Sequence, residues 1–224
     1  PSVAAERADT RAGAAGEFLC SARLDNLASS HAGLSALVRA AAGPAPFTRL
    51  VALHDHEEVG SRSATGAAGS FLLDVVERLA ALTGGGDPQA RLRALAQSRL
   101  VSADMAHAVH PNHPDRHEPG HRPQLGGGPV IKVNANQSYA SDAETAAEFA
   151  ALCRSLDVPY QHFVTRSDLA CGSTIGPISA ARVGLRTVDV GNPMLAMHSC
   201  REMAATADVA PMIRVLAGFF GAAA

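Results

Sequence analysis

Short apolar runs alternate along the chain with segments in which apolar residues recur every three or four positions. The apolar runs, typical of buried strands, lie at 17–20, 49–54, 99–102, 129–134, 158–164 and 186–191. The helical spacing predicts helices at 27–41, 63–82, 87–97, 141–156, 178–183 and 209–219. Strands and helices that alternate in this order favour a mostly parallel sheet with helices on both faces. We therefore predict an α/β fold, a three-layer α/β/α domain with a mostly parallel central sheet.

The length and composition favour one globular domain. The chain has 224 residues, of which 47% are hydrophobic, and this is enough for a sizeable core. Residues 1–16 are rich in Ala, Gly and Arg without a clear period, so we interpret them as a linker or the remnant of a preceding domain boundary. Residues 17–224 form the predicted domain.

Charge and cysteine usage limit the possible partners. The formal net charge is −2 and no basic cluster is present, which argues against nucleic-acid binding. No unbroken apolar run reaches about 18 residues, so no membrane-spanning segment is predicted. The four cysteines are scattered without a C-x-x-C pair, so neither a zinc ribbon nor a disulfide framework is indicated. We predict a cytoplasmic protein.

Polar side chains with catalytic potential follow the predicted strand at 49–54. The segment Asp-His-Glu-Glu-Val-Gly-Ser at 55–61 places two carboxylates, Glu57 and Glu58, side by side. Adjacent carboxylates repel each other unless a cation or a shared proton intervenes. A metal site resolves this repulsion, with one acid as a ligand and its neighbour as a base.

Further metal-ligating residue types follow other predicted strands. Asp104 leads into histidines at three-residue intervals, Asp25 lies where a strand passes into a helix, and His198 follows the last strand. Zinc accepts these oxygen and imidazole ligands, and two hydrolytic zinc ions share a bridging carboxylate and an activated water. Two alternatives remain at this point: Asp25 as a helix N-cap, and Lys132 as an edge-strand residue that points to water.

Six motifs resemble those of the aspartyl aminopeptidase family. They are SARLDNL (21–27), DHEEVGS (55–61), SADMAHAVHPN (102–112), GPVIKVN (128–134), CGSTIGP (171–177) and MHSCREM (197–203). They occur in the family's order and cover nearly everything from Glu17 to Phe220. The resemblance implies a dinuclear zinc exopeptidase that removes N-terminal Asp or Glu from peptides and assembles as a tetrahedral homo-dodecamer.

The resemblance also implies roles for the metal and catalytic residues. By this resemblance, Asp25 would bridge the two zinc ions. Glu58 and His198 would complete the site of one ion, and Asp104 would belong to the other. Glu57 would be the general base that takes a proton from the activated water and then protonates the leaving amine.

The substrate-binding residues that the resemblance implies are His107, Lys132 and Tyr139. Lys132 would place a cation where the acidic side chain of the substrate lies, which favours a pocket role over an edge-strand role. His110 would support the site without contacting the metal.

The sequence departs from the family in one respect. The family has a further zinc-binding histidine in an N-terminal segment, followed by a dimerisation domain, and the sequence shown has neither. We interpret it as the C-terminal part of the catalytic domain, and His31, His54 and His56 are candidates for the histidine by proximity in sequence only. Two alternatives follow: a catalytically incomplete subunit that binds peptides or assembles with active partners, and a cysteine hydrolase that uses Cys171 with His198.

Overall fold

The computed structural model describes residues 10–83 and 87–221. The helices of this part of the chain are α1 (Leu24–Ala40), α2 (Phe71–Thr83), α3 (Pro88–Gln97), α4 (Ala143–Ser155), α5 (Ile175–Val183) and α6 (Val209–Phe219). The strands are β1 (Thr10–Ala12), β2 (Phe18–Ser21), β3 (Arg99–Ala103), β4 (Ala106–His107), β5 (Val130–Val133), β6 (Gln161–Val164), β7 (Arg186–Gly191), β8 (Pro193–Leu195) and β9 (Glu202–Ala205).

The central sheet has the strand order β3-β7-β5-β6. β3 pairs with β7 and β5 pairs with β6 in parallel, whereas β5 and β7 are antiparallel. The sheet is therefore mixed with a parallel majority, and the predicted α/β fold class is confirmed.

Helices cover both faces of this sheet. Alternate side chains of a strand point to opposite faces. Val188 and Val190 of β7 lie in the main hydrophobic core with residues of α1, α4 and α6. Asp189 points to the other face, where it lies against Gly176 of α5. The three predicted layers follow from this alternation.

A second sheet, with the order β1-β2-β9-β8-β4, was not predicted. Its strands are two to four residues long, which is too short for a period of two to be detected in the sequence. The antiparallel pairing of β2 with β9 brings the start of α1 close to the segment that contains His198. This sheet therefore brings together two parts of the predicted site.

The structure places a strand within the segment that we interpreted as a linker or a domain-boundary remnant. Residues 10–12 form β1, which pairs with β2 in an antiparallel register from Thr10–Cys20 to Ala12–Phe18. The sequence did not indicate this strand, because the alanine-rich segment shows no alternation of apolar and polar residues. Residues 1–9 lie outside the described residues, so the boundary interpretation stays a prediction for them.

Two further element predictions were wrong. No strand is present at 49–54 in the described part of the chain, and Leu50 and Leu53 there are 39% and 58% exposed. An apolar run predicts burial, but a strand also needs a hydrogen-bonding neighbour. The helix predicted from Ser63 begins only at Phe71, because the N–H of Ala68 donates to the Ser61 carbonyl and closes a turn.

The cysteines carry no disulfide bonds, and the helices can be compared with the thickness of a membrane. Cys20, Cys153, Cys171 and Cys200 are all free of disulfide bonds. Within 10–83 and 87–221, no helix combines the length and the apolar character that crossing a membrane requires.

Candidate metal centre

Three side chains from distant parts of the sequence meet at one point. The ligand atoms of Asp25, Glu58 and His198 all lie within 4.8 Å of one another. The Nε2 atom of His198 lies 3.1 Å from Asp25 Oδ2 and 3.0 Å from Glu58 Oε2. The structure therefore groups three of the predicted metal ligands.

Local backbone geometry directs the Asp25 side chain to this group. Asp25 follows β2 and has non-helical dihedral angles (φ −83°, ψ 106°) within the first turn of α1. The N-cap of that helix is Arg23, which makes no side-chain capping bond. The N-cap alternative for Asp25 was therefore wrong, because the Asp25 carboxyl contacts His198 instead.

Asp104 is fixed by the end of the central sheet. It directly follows β3, and its N–H donates to the Val190 carbonyl of β7 at 2.9 Å. Gly191 permits this approach, since a Cβ atom at that position would overlap the Asp104 carbonyl group. The N–H of Met105 donates to Asp104 Oδ1 at 2.9 Å, so the carboxylate is held in place.

Lys132 lies against Asp104. Its Nζ atom donates to Asp104 Oδ2 at 3.1 Å and to the Met105 carbonyl at 3.0 Å, and Lys132 is only 2% exposed. β5 lies between β7 and β6, so Lys132 is not on an edge strand and that alternative was wrong. The ammonium group also lies 5.3 Å from the centroid of the Tyr139 ring, within the range of a cation–π contact.

Burial and neighbouring carboxylates raise the pKa of two acids of the site. Burial raises the pKa of Asp25 to about 9, with contributions from the neighbouring carboxylates of Asp104 and Glu58. Burial, together with the same two neighbours, also raises the pKa of Glu57 to about 7. Burial acts to raise the pKa of Asp104 as well, but the Lys132 ammonium and hydrogen bonds lower it overall. A cation bound among these carboxylates would stabilise their ionised forms.

One cavity of about 730 Å³ connects these groups with the predicted substrate side. Every residue to which the sequence assigned a role at the site lines it: Asp25, Glu57, Glu58, Asp104, His107, His110, Lys132, Tyr139 and His198. The structure thus places the whole set around one space.

Phe163 contacts three rings on the predicted substrate side of the cavity. Its ring lies 6.4 Å from His107, 5.7 Å from His117 and 6.2 Å from Tyr139, measured between ring centroids. Desolvation and the neighbouring Lys132 ammonium lower the pKa of His107, which favours the neutral imidazole. His110 lies on the same cavity wall and accepts a hydrogen bond from the Asn112 N–H at 3.1 Å.

Sequence reasoning missed His117 and Glu202. His117 is 7% exposed, and its Nε2 atom lies 3.4 Å from the His107 carbonyl oxygen. The sequence feature that could have identified His117 is its position in the histidine-rich segment 107–121. Glu202 is 2% exposed and accepts hydrogen bonds from the backbone N–H groups of Asp25 and His198. No local pattern marks such a long-range contact.

The histidines proposed by proximity in sequence lie outside the cavity wall. His31 contacts Ser35 at 3.4 Å, and His56 contacts Ser63 at 2.8 Å. His54 packs against Phe71 with its ring edge-on, at 6.2 Å between centroids. None of the three belongs to the metal-ligating group found in the described part of the chain.

Cys171 and His198 both line the cavity, but the described contacts do not join them as a nucleophile and a base. The Sγ atom of Cys171 accepts a hydrogen bond from the Thr165 hydroxyl at 3.1 Å. The imidazole of His198 contacts Asp25 and Glu58. This arrangement gives no support to the cysteine hydrolase alternative.

The grouped side chains fit a zinc ion. Two carboxylates and one imidazole are among the ligands that zinc accepts. Asp25 Oδ1 is buried and lacks a hydrogen-bond partner in the described part of the chain, as expected of an oxygen that binds a cation. The residues therefore satisfy the chemical requirements of one zinc site.

Comparisons with known proteins agree with this chemistry. Residues 3–220 match the family described as aminopeptidase I zinc metalloprotease (M18). The chain is 53% identical over 204 residues to a probable M18 family aminopeptidase 2 of Pseudomonas paraeruginosa, a match that covers 91% of this chain and 46% of that protein. These matches place the chain among the zinc metallopeptidases. It belongs to the M18 aminopeptidase family, and it spans about half the length of the curated relatives it matches.

Solved structures show the same fold. A cryo-electron microscopy structure of the Ape4 and Nbr1 complex superimposes with a TM-score of 0.90 at 41% identity, covering 96% of this chain and 41% of that chain. The structure of the S. cerevisiae mApe1 dodecamer has a TM-score of 0.83 at 31% identity, covering 96% of this chain and 48% of that chain.

Proposed function

We propose that this chain carries the catalytic machinery of a zinc aminopeptidase that removes Asp or Glu from the N-terminus of peptides. The observation that carries the proposal is the meeting of Asp25, Glu58 and His198 within 4.8 Å of one another, in the same cavity as Glu57 and Asp104. Membership of the M18 family supports the reaction class. The preference for acidic residues is our inference from the cavity.

Two zinc ions are part of this proposal. Asp25, Glu58 and His198 would hold one ion, and Asp25 with Asp104 would hold part of the site of the second. Bound zinc lowers the pKa of a water molecule and polarises the carbonyl group that is attacked.

Glu57 is suited to be the general base. It lines the cavity beside the three grouped ligands without belonging to that group. Its carboxylate can therefore take up the proton of the attacking water and donate it to the leaving amine. A base placed within reach of the water contributes on the order of 10²–10⁴-fold to such a reaction.

Lys132 supplies the cation for substrate selection. An ammonium group has three N–H donors, and in the described part of the chain two of those of Lys132 are directed to Asp104 and Met105. The remaining donor would bind the side-chain carboxylate of the substrate. His107 and Tyr139 form the wall beside it, and His110 supports that wall.

Assembly and location complete the proposal. Similarity to a dodecameric M18 aminopeptidase supports a homo-oligomer, and we propose the same dodecameric state for the whole protein. The free cysteines are compatible with a reducing compartment such as the cytoplasm.

The competing hypothesis is a catalytically incomplete subunit. It draws on one observation: in the described part of the chain, a single group of three ligating side chains is present, and Asp104 is outside it. Such a subunit would bind peptides or assemble with active partners without turnover.

Metal stoichiometry measured beside turnover separates the two hypotheses. The purified chain is assayed for zinc by elemental analysis and for release of aspartate from an aspartyl anilide, with a leucyl anilide as the matched substrate. Two zinc ions per chain and chelator-sensitive turnover that favours the aspartyl substrate are expected of the enzyme. One ion or none, without turnover, would mean that this chain alone is a partial site, as the incomplete-subunit hypothesis predicts.

A further inference from the structure

Glu202 is a buried carboxylate with an unusual pair of partners. It lies at the start of β9 and is 2% exposed. Its Oε2 atom accepts the backbone N–H of Asp25 at 3.0 Å, and its Oε1 atom accepts the backbone N–H of His198 at 2.7 Å. No salt bridge to Glu202 is found among the described residues. Burial of a carboxylate without a cation costs free energy, so both hydrogen bonds are needed to offset it.

The two segments that Glu202 joins are irregular and far apart in sequence. Asp25 has non-helical dihedral angles within the first turn of α1. His198 has a positive φ of 67°, a left-handed conformation that residues other than glycine adopt only at a cost. The β2–β9 pairing ends at Ser21 and Glu202, and beyond it the shared carboxylate holds the backbone at Asp25 and at His198.

We propose that Glu202 is a positioning residue of the metal centre. Each of its two oxygens holds the backbone of one metal-ligating residue, so that the side chains of Asp25 and His198 meet. Glu202 itself lies outside the cavity wall and outside the ligand group. This inference rests on the proposed function, because it assumes that the group binds zinc.

The chemistry of the two donors makes the inference testable. A backbone N–H can only donate, so both partners of Glu202 require an acceptor. Glutamine has one acceptor oxygen, and its NH₂ group would face an N–H. Glu202→Gln is therefore nearly isosteric and yet loses one of the two bonds and leaves a buried donor unpaired.

Asp208 provides a matched control. It is 1% exposed, and its two oxygens accept the backbone N–H groups of Gly126 and Gly128, each at 2.8 Å. Neither glycine lines the cavity. Asp208→Asn therefore makes the same chemical change to the same kind of carboxylate, away from the metal ligands.

The experiment compares the zinc affinity of the wild-type chain, Glu202→Gln and Asp208→Asn by competition with a chromophoric chelator. We expect Glu202→Gln to weaken zinc binding about 10–100-fold, the loss typical when a group that orients a ligand is removed. Asp208→Asn should bind zinc as the wild type does. In metal-free protein, hydrogen exchange should rise at the amides of Asp25 and His198 in the first variant, and at Gly126 and Gly128 in the second.

The outcomes separate this inference from the proposed function. Unchanged zinc affinity in folded Glu202→Gln, or an equal loss in both variants, overturns the positioning role and leaves the enzyme proposal intact. A wild-type chain that binds no zinc overturns both. Where Glu202→Gln does not fold, Glu202→Asp replaces it: the charge and both acceptors remain on a shorter side chain that cannot reach both amides, so a smaller loss of affinity is expected. Wild-type affinity in that variant would contradict the inference.

Discussion

The ammonium group of Lys132 lies 3.1 Å from Asp104 Oδ2, and the Lys132 side chain is 3% exposed. This ion pair connects the substrate side of the cavity with the proposed metal side. It keeps Asp104 ionised, because the pKa of Asp104 is lowered by Lys132 despite burial. Lys132 therefore stabilises the folded protein and is, in addition, a candidate for substrate binding.

Removal of Lys132 should destabilise the protein. Lys132→Met leaves a largely buried Asp104 without its cation, and loss of one partner of a buried pair costs about 3–5 kcal/mol. We expect a decrease of about 3 kcal/mol in the free energy of unfolding, measured with urea in chelator-treated protein. Arg91→Met is the control, because its pair with Glu77 is partly exposed and pairs of this kind contribute about 0–1 kcal/mol. Equal losses in the two variants would contradict the assignment of a buried pair.

Lys132 should also determine substrate preference. The same Lys132→Met variant is expected to lose more of its kcat/KM for an aspartyl anilide than for a leucyl anilide, because only the aspartyl side chain would use the ammonium group. A differential loss of about tenfold or more corresponds to at least one charge-assisted hydrogen bond. Equal losses on both substrates would show that Lys132 stabilises Asp104 and does not bind the side chain of the substrate.

Glu57→Gln should abolish turnover without loss of metal. Glutamine keeps the shape of the side chain but cannot accept a proton, so we expect a decrease in kcat of about 10²–10⁴-fold. Zinc content by elemental analysis should stay at the wild-type level. Glu77→Gln on α2 serves as the control for removal of one negative charge. Loss of zinc from the Glu57 variant would show that the base and the ligand are reversed between Glu57 and Glu58.

His198→Ala should weaken zinc binding more than any change outside the ligand group. The variant removes the one imidazole of the group that contains Asp25 and Glu58. We expect a loss of affinity beyond the 10–100-fold typical of residues that only orient ligands. His31→Ala, on the exposed side of α1, should leave affinity unchanged, and an equal effect of both changes would argue against a site at His198.

Acidification should act on the metal-free protein through the buried His117 side chain. Burial lowers the pKa of His117 below its ordinary value of 6.5, so below that pH the unfolded chain binds a proton that the folded chain does not. This group therefore lowers the stability as pH falls, by up to about 1.4 kcal/mol per pH unit. The raised pKa values of Asp25 and Glu57 act in the opposite direction, because the folded state holds those protons more tightly.

A comparison of variants isolates the histidine contribution. Urea unfolding of chelator-treated protein between pH 7.5 and 5 should show that the stability of His117→Gln, relative to that of the wild type, increases as the pH falls. His31→Gln should follow the wild type, since His31 is exposed. Parallel curves for all three proteins would show that His117 does not titrate differently in the folded and unfolded states.

Much of the fold could be predicted because its elements are long enough to show a period. α3, β7 and α6 were predicted within one residue at each end. The second sheet was not, since strands such as β4 and β8 contain two and three residues. The strand predicted at 49–54 failed because an apolar run reports neither a hydrogen-bonding partner nor a covering element, and Leu50 and Leu53 are exposed there.

The sequence by itself determined the family and the chemical inventory of this protein. Residue types and motif spacing are local properties, so the adjacent Glu57 and Glu58, and the Asp104 segment with its histidines, could be identified without coordinates. Membership of the M18 family followed from the same motifs and is confirmed.

Only the tertiary structure decided how these groups act on one another. It placed Lys132 in the interior beside Asp104, where the strand pattern alone had left an exposed edge position open. It also showed that the Glu202 carboxylate joins the amides of Asp25 and His198. Asp25 and Glu202 are 177 positions apart in the sequence. Burial and long-range hydrogen bonds arise from the packing of the whole chain, and no local pattern of residues encodes them.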